Sequence, residues 1–137
     1  MVRWSAVALI VLAVVHLLVL GIDVPAELPK WLEFSLWTLD HWQPLRAQPL
    51  DLALSSGVFW ATAGSFAVPL LILGSLLLWL DRRGDPIPAF VGWTLAGWTA
   101  LMTLLMPPSG FPLGLLIALC LAVGLERRKT QAKISKM

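Results

Sequence analysis

Residues 86–125, PIPAFVGWTLAGWTALMTLLMPPSGFPLGLLIALCLAVGL, form an uninterrupted run without a charged side chain. An α-helix rises about 1.5 Å per residue, so about 20 apolar residues cross the roughly 30 Å hydrocarbon core of a bilayer. Within the run stands the segment Met106-Pro-Pro-Ser-Gly-Phe-Pro112, whose prolines and glycine end one helix and turn the chain. We therefore predict two membrane-spanning helices, 87–106 and 110–125. The second is short and needs flanking residues or a thin bilayer.

Two further charge-free runs predict two more spans. Residues 4–22 suit one span and residues 52–80 exceed one, so we predict helices over 4–22 and 55–80. The first lacks a small-residue cleavage site, which favours a retained span over a cleaved signal peptide. The predicted fold class is all-α, a four-transmembrane-helix bundle that forms a single domain over residues 1–126.

The composition excludes other classes of protein. Of the 137 residues 58% are hydrophobic and 13% are charged, against about 25% charged in an average soluble domain. A soluble chain of this length cannot bury so much apolar surface. The net charge of +2 does not indicate nucleic-acid binding, because half of the basic residues lie in a tail over 127–137. A basic tail after an apolar run is typical of a cytoplasmic anchor beside anionic headgroups.

The distribution of Lys and Arg predicts the orientation. With four spans, the N-terminus, the loop 81–85 and the tail share one side of the membrane and carry eight of the ten basic residues. The opposite side carries Lys30 and Arg46. Because positive charge accumulates in cytoplasmic loops, we predict a multi-pass protein of the cell membrane with both termini in the cytoplasm.

Small residues at four-residue spacing predict close packing of three of the helices. The three stripes are Ala53, Gly57, Ala61 and Ser65; Gly92, Ala96 and Ala100; and Gly110, Gly114, Ala118 and Ala122. The first helix has no such stripe, so we expect it at the periphery. Pro69 predicts a kink in the second helix.

The external loop 23–51 is acidic and rich in tryptophan. Pro25 and Pro29 bound a helix predicted over residues 30–42, whose leucines share one face. Such a helix suits the membrane interface, with its tryptophans at headgroup level. Two roles stay open for this loop: a lid over the outer end of the bundle, or a platform for a ligand.

His16 is the one imidazole within a predicted span, and ionisable residues at such depth are functional candidates. Asp23 lies seven residues later, where it could orient the ring if the helix continues. Two interpretations stay open. His16 makes a structural hydrogen bond to the hydroxyl of Thr62, Thr99 or Thr103, or it contacts a ligand or transfers a proton.

No cofactor or metal is predicted. The sequence lacks phosphate-binding, dinucleotide-binding, serine-hydrolase and zinc-protease motifs. His16 and His41 have no spacing that would bring them together, and two histidines do not complete a zinc site. Cys120 is the single cysteine and predicts neither an intrachain disulfide nor a thiolate site.

Four short patterns together resemble a known family. They are His16-x4-Gly21, Phe59-Trp60-x3-Gly64, Pro88-x3-Gly92-Trp93 and Pro107-Pro108-Ser109-Gly110-Phe111. They are similar to a family of small four-span bacterial membrane proteins, mostly actinobacterial, that is classified only as a domain of unknown function. The likeness covers most of residues 4–125, and the Pro-Ser-Gly-Phe turn is its most specific part. The long, Trp-rich external loop departs from it. The resemblance implies the four-span topology and brings no activity.

We expect a non-catalytic membrane protein that binds a lipid or hydrophobic small molecule, or that serves as an accessory subunit. Its site would lie at the external end, among His16, Asp23, Trp60 and Ser109. The alternative is a small membrane enzyme that uses His16 as general acid and base on a lipid-like substrate. The expected partners are the lipid bilayer, a second copy of the chain or a larger membrane complex, and no nucleic acid.

Overall fold

The structure is a computed structural model that describes residues 1–134, apart from the side chains at 132 and 133. Within that range the chain is helical and has no strand, which confirms the all-α prediction. Residues 135–137 of the predicted tail lie outside it. The helices are α1 (Val2–Leu20), α2 (Val24–Leu32), α3 (Leu50–Ala61), α4 (Ala67–Arg83), α5 (Phe90–Leu105) and α6 (Phe111–Ile134), with 3-10 turns at Gly21–Asp23, Leu39–Trp42 and Leu45–Ala47.

One helical segment in this range is long and apolar enough to cross a membrane. It is Val2–Leu32, in which the turn at Gly21–Asp23 links α1 to α2. A buried core helix or a signal sequence has the same character. Helices α3 and α5 are apolar and shorter, so the four-span bundle stays a prediction.

The helix predicted over 55–80 is two helices. α3 ends at Ala61, and the chain leaves helical geometry at Thr62, where φ is −123° and ψ is −95°. α4 begins at Ala67, whose N–H donates to the Ser65 hydroxyl over 3.2 Å. Pro69 lies in the first turn of α4, where its missing N–H removes no helical hydrogen bond. The predicted kink is therefore a full interruption, placed before the proline.

The helix predicted over 30–42 is also misplaced. The helix in this loop is α2, which begins at Val24, has Pro25 in its first turn and contains Pro29. It ends where Phe34 adopts a left-handed φ of 61°. Pro25 does not bound the helix, because a proline in the first turn lacks only an N–H that would be unpaired anyway. Pro29 lies inside the helix and removes one backbone donor there.

The chain forms two compact units. The first combines Met1–Ala13 with the residues from Leu70 onward, and the second is Val14–Pro69. The core of the first unit consists of aliphatic side chains from α1, α4, α5 and α6: Val2, Ala6, Leu9, Leu77, Leu95, Ala96, Ala118, Leu121 and Leu125.

The closest helix contact in the first unit joins α5 to α6. A Cβ atom added at Gly92 would lie 2.5 Å from the Cα of Ala122, so the contact requires glycine. Ala96 and Ala118 are buried in the same core. The small-residue stripes of these two helices are therefore packing surfaces, as predicted. The stripe of α3 differs, because Gly57 is exposed and a Cβ there would meet no atom within 4 Å in the described part of the chain.

The first helix, expected at the periphery, leaves most of its length unburied but contributes Val2, Ala6 and Leu9 to the core of the first unit. Ala6 and Ala13 of α1 are 0% exposed. The close approach comes from glycines on the neighbouring helices: a Cβ at Gly74 would lie 3.1 Å from the Ala6 carbonyl oxygen, and one at Gly124 would lie 3.1 Å from the Cβ of Met1. A helix can thus pack into the core without a small-residue stripe when its neighbours supply the glycines.

Candidate functional site

The imidazole of His16 is half-buried and reaches the end of α3. Its Nε2 lies 3.1 Å from the carbonyl oxygen of Ala61. A carbonyl only accepts hydrogen bonds, so Nε2 carries the proton and donates. In the neutral ring this leaves the lone pair of Nδ1 available as an acceptor. The structure gives Nδ1 no partner among residues 1–134.

The Ala61 carbonyl needs this donor because α3 stops there. The last four carbonyls of a helix have no intrahelical N–H partner. Here the Val58 carbonyl accepts from the Thr62 hydroxyl over 2.6 Å, and the Phe59 carbonyl accepts from the Gly64 N–H over 2.8 Å. The Ala61 carbonyl accepts its hydrogen bond from His16, which lies on another helix. It is therefore a tertiary cap on the C-terminus of α3.

The hydroxyls predicted as partners of His16 are not used in that way. The hydroxyls of Thr62, Thr99 and Thr103 each donate to the carbonyl four residues earlier in the chain, over 2.6, 2.8 and 2.7 Å. By this bond the hydroxyl of a threonine, in a helix or at its end, finds an acceptor within its own helix. The structural hydrogen bond of His16 exists, but its acceptor is backbone.

Trp60 lies directly beside the interruption and is 57% exposed. Its ring packs edge-on against Phe59 with centroids 5.4 Å apart. A Cβ at Gly64 would lie 2.7 Å from Cε3 of Trp60 and 2.8 Å from Cε1 of Phe59. The turn after α3 therefore closes over two aromatic rings and has room only for glycine.

Asp23 does not orient His16 in the structure. It is exposed and ends the 3-10 turn Gly21–Asp23, and its side chain does not cap α2. No ion pair joins Asp23 to His16 within the described range. Because α1 ends at Leu20, the regular helix on which the predicted spacing depends does not reach residue 23.

Ser109 has a structural role in the turn between α5 and α6. Its hydroxyl donates to the Met106 carbonyl over 2.6 Å and accepts from the Phe111 N–H over 3.2 Å. Ser109 belongs to the first compact unit, whereas His16, Asp23 and Trp60 belong to the second.

A polar network in the second unit was missed by the sequence analysis. Trp31 of α2 donates its indole N–H to the hydroxyl of Ser55 in α3 over 2.9 Å, and Ser55 is buried. Lys30 Nζ lies 2.8 and 3.0 Å from the two carboxylate oxygens of Glu27. The hydrogen bond from Lys30, and then that from Ser55, hold the pKa of Glu27 below its ordinary value. The available signal was the Ser55-Ser56 pair within an apolar helix.

The aromatic loop after α2 points outward. Trp37, Leu39 and Trp42 are 85–87% exposed. The side-chain amide of Gln48 stabilises the loop, because its Nε2 donates hydrogen bonds to the carbonyls of His41 and Gln43 over 3.1 and 2.9 Å. Trp37 packs edge-on against Phe34 and Trp42 against His41, with ring centroids 6.3 Å apart in both pairs.

Within residues 1–134, no group of three His, Cys, Asp or Glu side chains is arranged to hold a metal ion. A family of unknown function, DUF6463, matches residues 1–128, which include α1 to α5 and most of α6. The chain belongs to this family. No curated protein and no solved structure matches the chain. The DUF6463 match covers both compact units and carries no activity.

Proposed function

We propose that this DUF6463 protein is a multi-pass protein of the cell membrane that binds a lipid or hydrophobic small molecule beside the interruption between α3 and α4. Its four passes are α1, the interrupted pair α3 and α4, α5 and α6, and both termini are cytoplasmic. The observation that carries the proposal is the His16 cap on a broken apolar helix.

The membrane location is supported by the apolar side chains that the fold leaves uncovered. Leu18, Ile72, Leu104 and Leu116 are each more than 60% exposed and lie on four different helices. Contiguous exposed apolar surface in water leads to association, whereas in lipid it is the normal outer surface. The charged residues of α4 lie at its C-terminal end, Asp81 to Arg83, as expected where a helix leaves the hydrocarbon.

The interruption itself supports ligand binding. Lipid provides no hydrogen-bond partners, so irregular backbone at membrane depth occurs where it is buried in protein or lines a cavity. Discontinuous helices in membrane proteins often form binding sites for this reason. Here the Nδ1 lone pair of His16 can accept from a hydroxyl or amine, and the exposed ring of Trp60 can cover an apolar body. The ligand chemistry is thus an amphiphile with one hydrogen-bond donor.

Binding is better supported than catalysis. An acid–base histidine is commonly oriented by a carboxylate that also stabilises the imidazolium. His16 is oriented by the neutral carbonyl of Ala61 and has no ion pair among residues 1–134. Ser109 stays outside the proposed site, because its hydroxyl is used in the α5–α6 turn, and Asp23 remains an outer polar contact.

The test uses the full chain purified from membranes in a mild detergent. Native mass spectrometry with lipid analysis should find a co-purified amphiphile on the wild type. Trp60→Ala should lose it, whereas Trp4→Ala, which removes another exposed tryptophan on α1, should retain it. No bound amphiphile on the wild type, or equal retention by both variants, would overturn the proposed site.

A further inference from the structure

A cleft of about 380 Å³ lies in the first compact unit, and none of its lining residues belongs to the second unit. It is formed by the first turn of α5 and the second half of α6 and is lined by Trp93, Val123, Glu126, Arg127, Thr130 and Gln131. Its volume falls in the range of roughly 300–1,000 Å³ that is typical of small-molecule sites.

The lining changes from apolar to charged along one face of α6. Val123, Arg127 and Thr130 are separated by four and three residues, so they share that face. The face passes from an aliphatic side chain to a guanidinium and then a hydroxyl over roughly 10 Å. Trp93 of α5 also lines the cleft and is about half exposed. Such a gradient matches a molecule with a polar head and an apolar stem.

Arg127 has no carboxylate partner in the described residues, unlike two other arginines of this unit. Arg128 is paired with Asp81, and Arg83 lies 2.9 Å from Asp85. Arg127 contacts only the sulfur of Met1, over 3.8 Å, and has no carboxylate partner among the described residues. Glu126 likewise has no ion pair there. Among the side chains that the structure describes, the cleft thus holds a cation and an anion that are ion-paired neither with each other nor with another residue.

We infer that this cleft binds the headgroup of an aminophospholipid of the phosphatidylethanolamine type, which carries a phosphate next to a primary ammonium. The inference rests on the proposed membrane insertion. The phosphate accepts hydrogen bonds from the Arg127 guanidinium, and the ammonium donates to the Glu126 carboxylate. The first acyl carbons lie against Trp93 and Val123. A phosphatidylcholine headgroup has no N–H to donate, and phosphatidylglycerol brings no cation to Glu126.

The experiment measures lipid retention by the full chain in detergent. Dioleoyl phosphatidylethanolamine, phosphatidylcholine and phosphatidylglycerol are added separately at equal concentration, and bound lipid is counted by native mass spectrometry. The wild type should retain the ethanolamine lipid about tenfold better than the other two lipids. Only its ammonium makes the charge-assisted hydrogen bond to Glu126, and one such bond corresponds to about that ratio. Arg127→Gln should lower its retention about tenfold by the loss of the phosphate contact. Glu126→Gln should remove the preference for ethanolamine over choline.

Lys129→Gln is the matched control, because it removes a neighbouring positive charge that does not line the cleft. Val123→Trp fills the apolar end without changing charge and should also lower retention, while helix content measured by circular dichroism stays unchanged. Equal retention of the three lipids by the wild type, or unchanged retention by Arg127→Gln, would overturn the inference. A chain that alkaline carbonate releases from membranes would instead overturn the proposed membrane location, so the two failures are distinguishable.

Discussion

His16 donates a hydrogen bond from Nε2 to the carbonyl of Ala61, 45 residues later in the chain. The bond joins α1 to the last residue of α3 at the point where the helix stops. It makes the imidazole part of the second unit's structure while its other nitrogen stays available to a ligand. The structural hydrogen bond and the proposed ligand contact of this side chain are compatible, because they use different ring atoms.

Replacement of His16 should show the structural role directly. His16→Leu removes the donor and leaves the Ala61 carbonyl unpaired, so we expect a loss of about 1–3 kcal/mol in the free energy of unfolding. His16→Gln keeps an amide N–H that can donate and should lose less. Thermal unfolding of the full chain in detergent measures both. A wild-type unfolding temperature for His16→Leu would show that the cap is dispensable.

The sequence alone identified His16, because an imidazole in an apolar run is rare and must find a partner. Its acceptor could not be predicted, since the Ala61 carbonyl becomes available only when α3 ends. That ending depends on the packing of Gly64 against Phe59 and Trp60, which follows from the folded turn and not from local propensity. The same limit applies to Asp23, whose predicted alignment assumed a helix that continues beyond Leu20.

The region after residue 86 was more predictable, because its signals are local. The prolines and glycine at 107–112 predicted an end of one helix and the start of another, and α5 ends at Leu105 while α6 begins at Phe111. The small-residue stripes that contain Gly92 and Ala122 predicted packing surfaces on these helices, although not which residues meet. The contribution of α1 to the core could not be predicted from its own residues, because the glycines that allow its close approach lie on α4 and α6.

The α5–α6 contact should be sensitive at Gly92 and tolerant at Gly97. A Cβ at Gly92 would meet the backbone of Ala122, which cannot move like a flexible side chain, so Gly92→Ala should cost about 1–3 kcal/mol. Gly97→Ala lies in the same helix and would meet no described atom within 4 Å. It should be neutral or stabilising by up to about 1 kcal/mol, because alanine favours helix. Equal unfolding temperatures of the two variants would contradict the contact.

The bond between Trp31 and Ser55 should behave as a coupled pair. Ser55→Ala leaves the indole N–H without its acceptor and should cost about 1 kcal/mol of unfolding free energy. Trp31→Phe keeps an aromatic ring near Phe59 but removes the donor. The double variant should be less destabilised than the sum of the single variants, because neither then leaves a buried partner unpaired. Additive losses in a double-mutant cycle would argue against the bond.

The Glu27 carboxyl gives a pH prediction with a defined sign. Its pKa is lowered in the folded chain, chiefly by Lys30 and then by Ser55, so it binds a proton less readily there than in the unfolded chain. Its contribution to stability is complete above the unfolded pKa of about 4.3 and is lost as the pH falls through the lowered folded pKa. Lys30→Gln should raise the pKa of Glu27, whereas Arg46→Gln in the same loop should not. An NMR titration of the Glu27 carboxyl carbon measures this pKa in each variant. An unchanged pKa in Lys30→Gln would contradict Lys30 as the main cause of the shift.

The proposed topology makes α3 and α4 a single interrupted pass, and reporters can test this. Fusions at Gly84, which has a φ of 72° outside the helices, and after residue 137 should both be cytoplasmic, while a fusion near Gln43 should be external. Positive charge explains the expected side, since eight of the ten basic residues lie at the N-terminus, in the loop 81–85 or in the tail. If α3 and α4 instead entered and left on the same face, the passes would number three. Gly84 and the C-terminus would then both be external while the N-terminus stayed cytoplasmic, and the interruption would be the tip of a re-entrant loop.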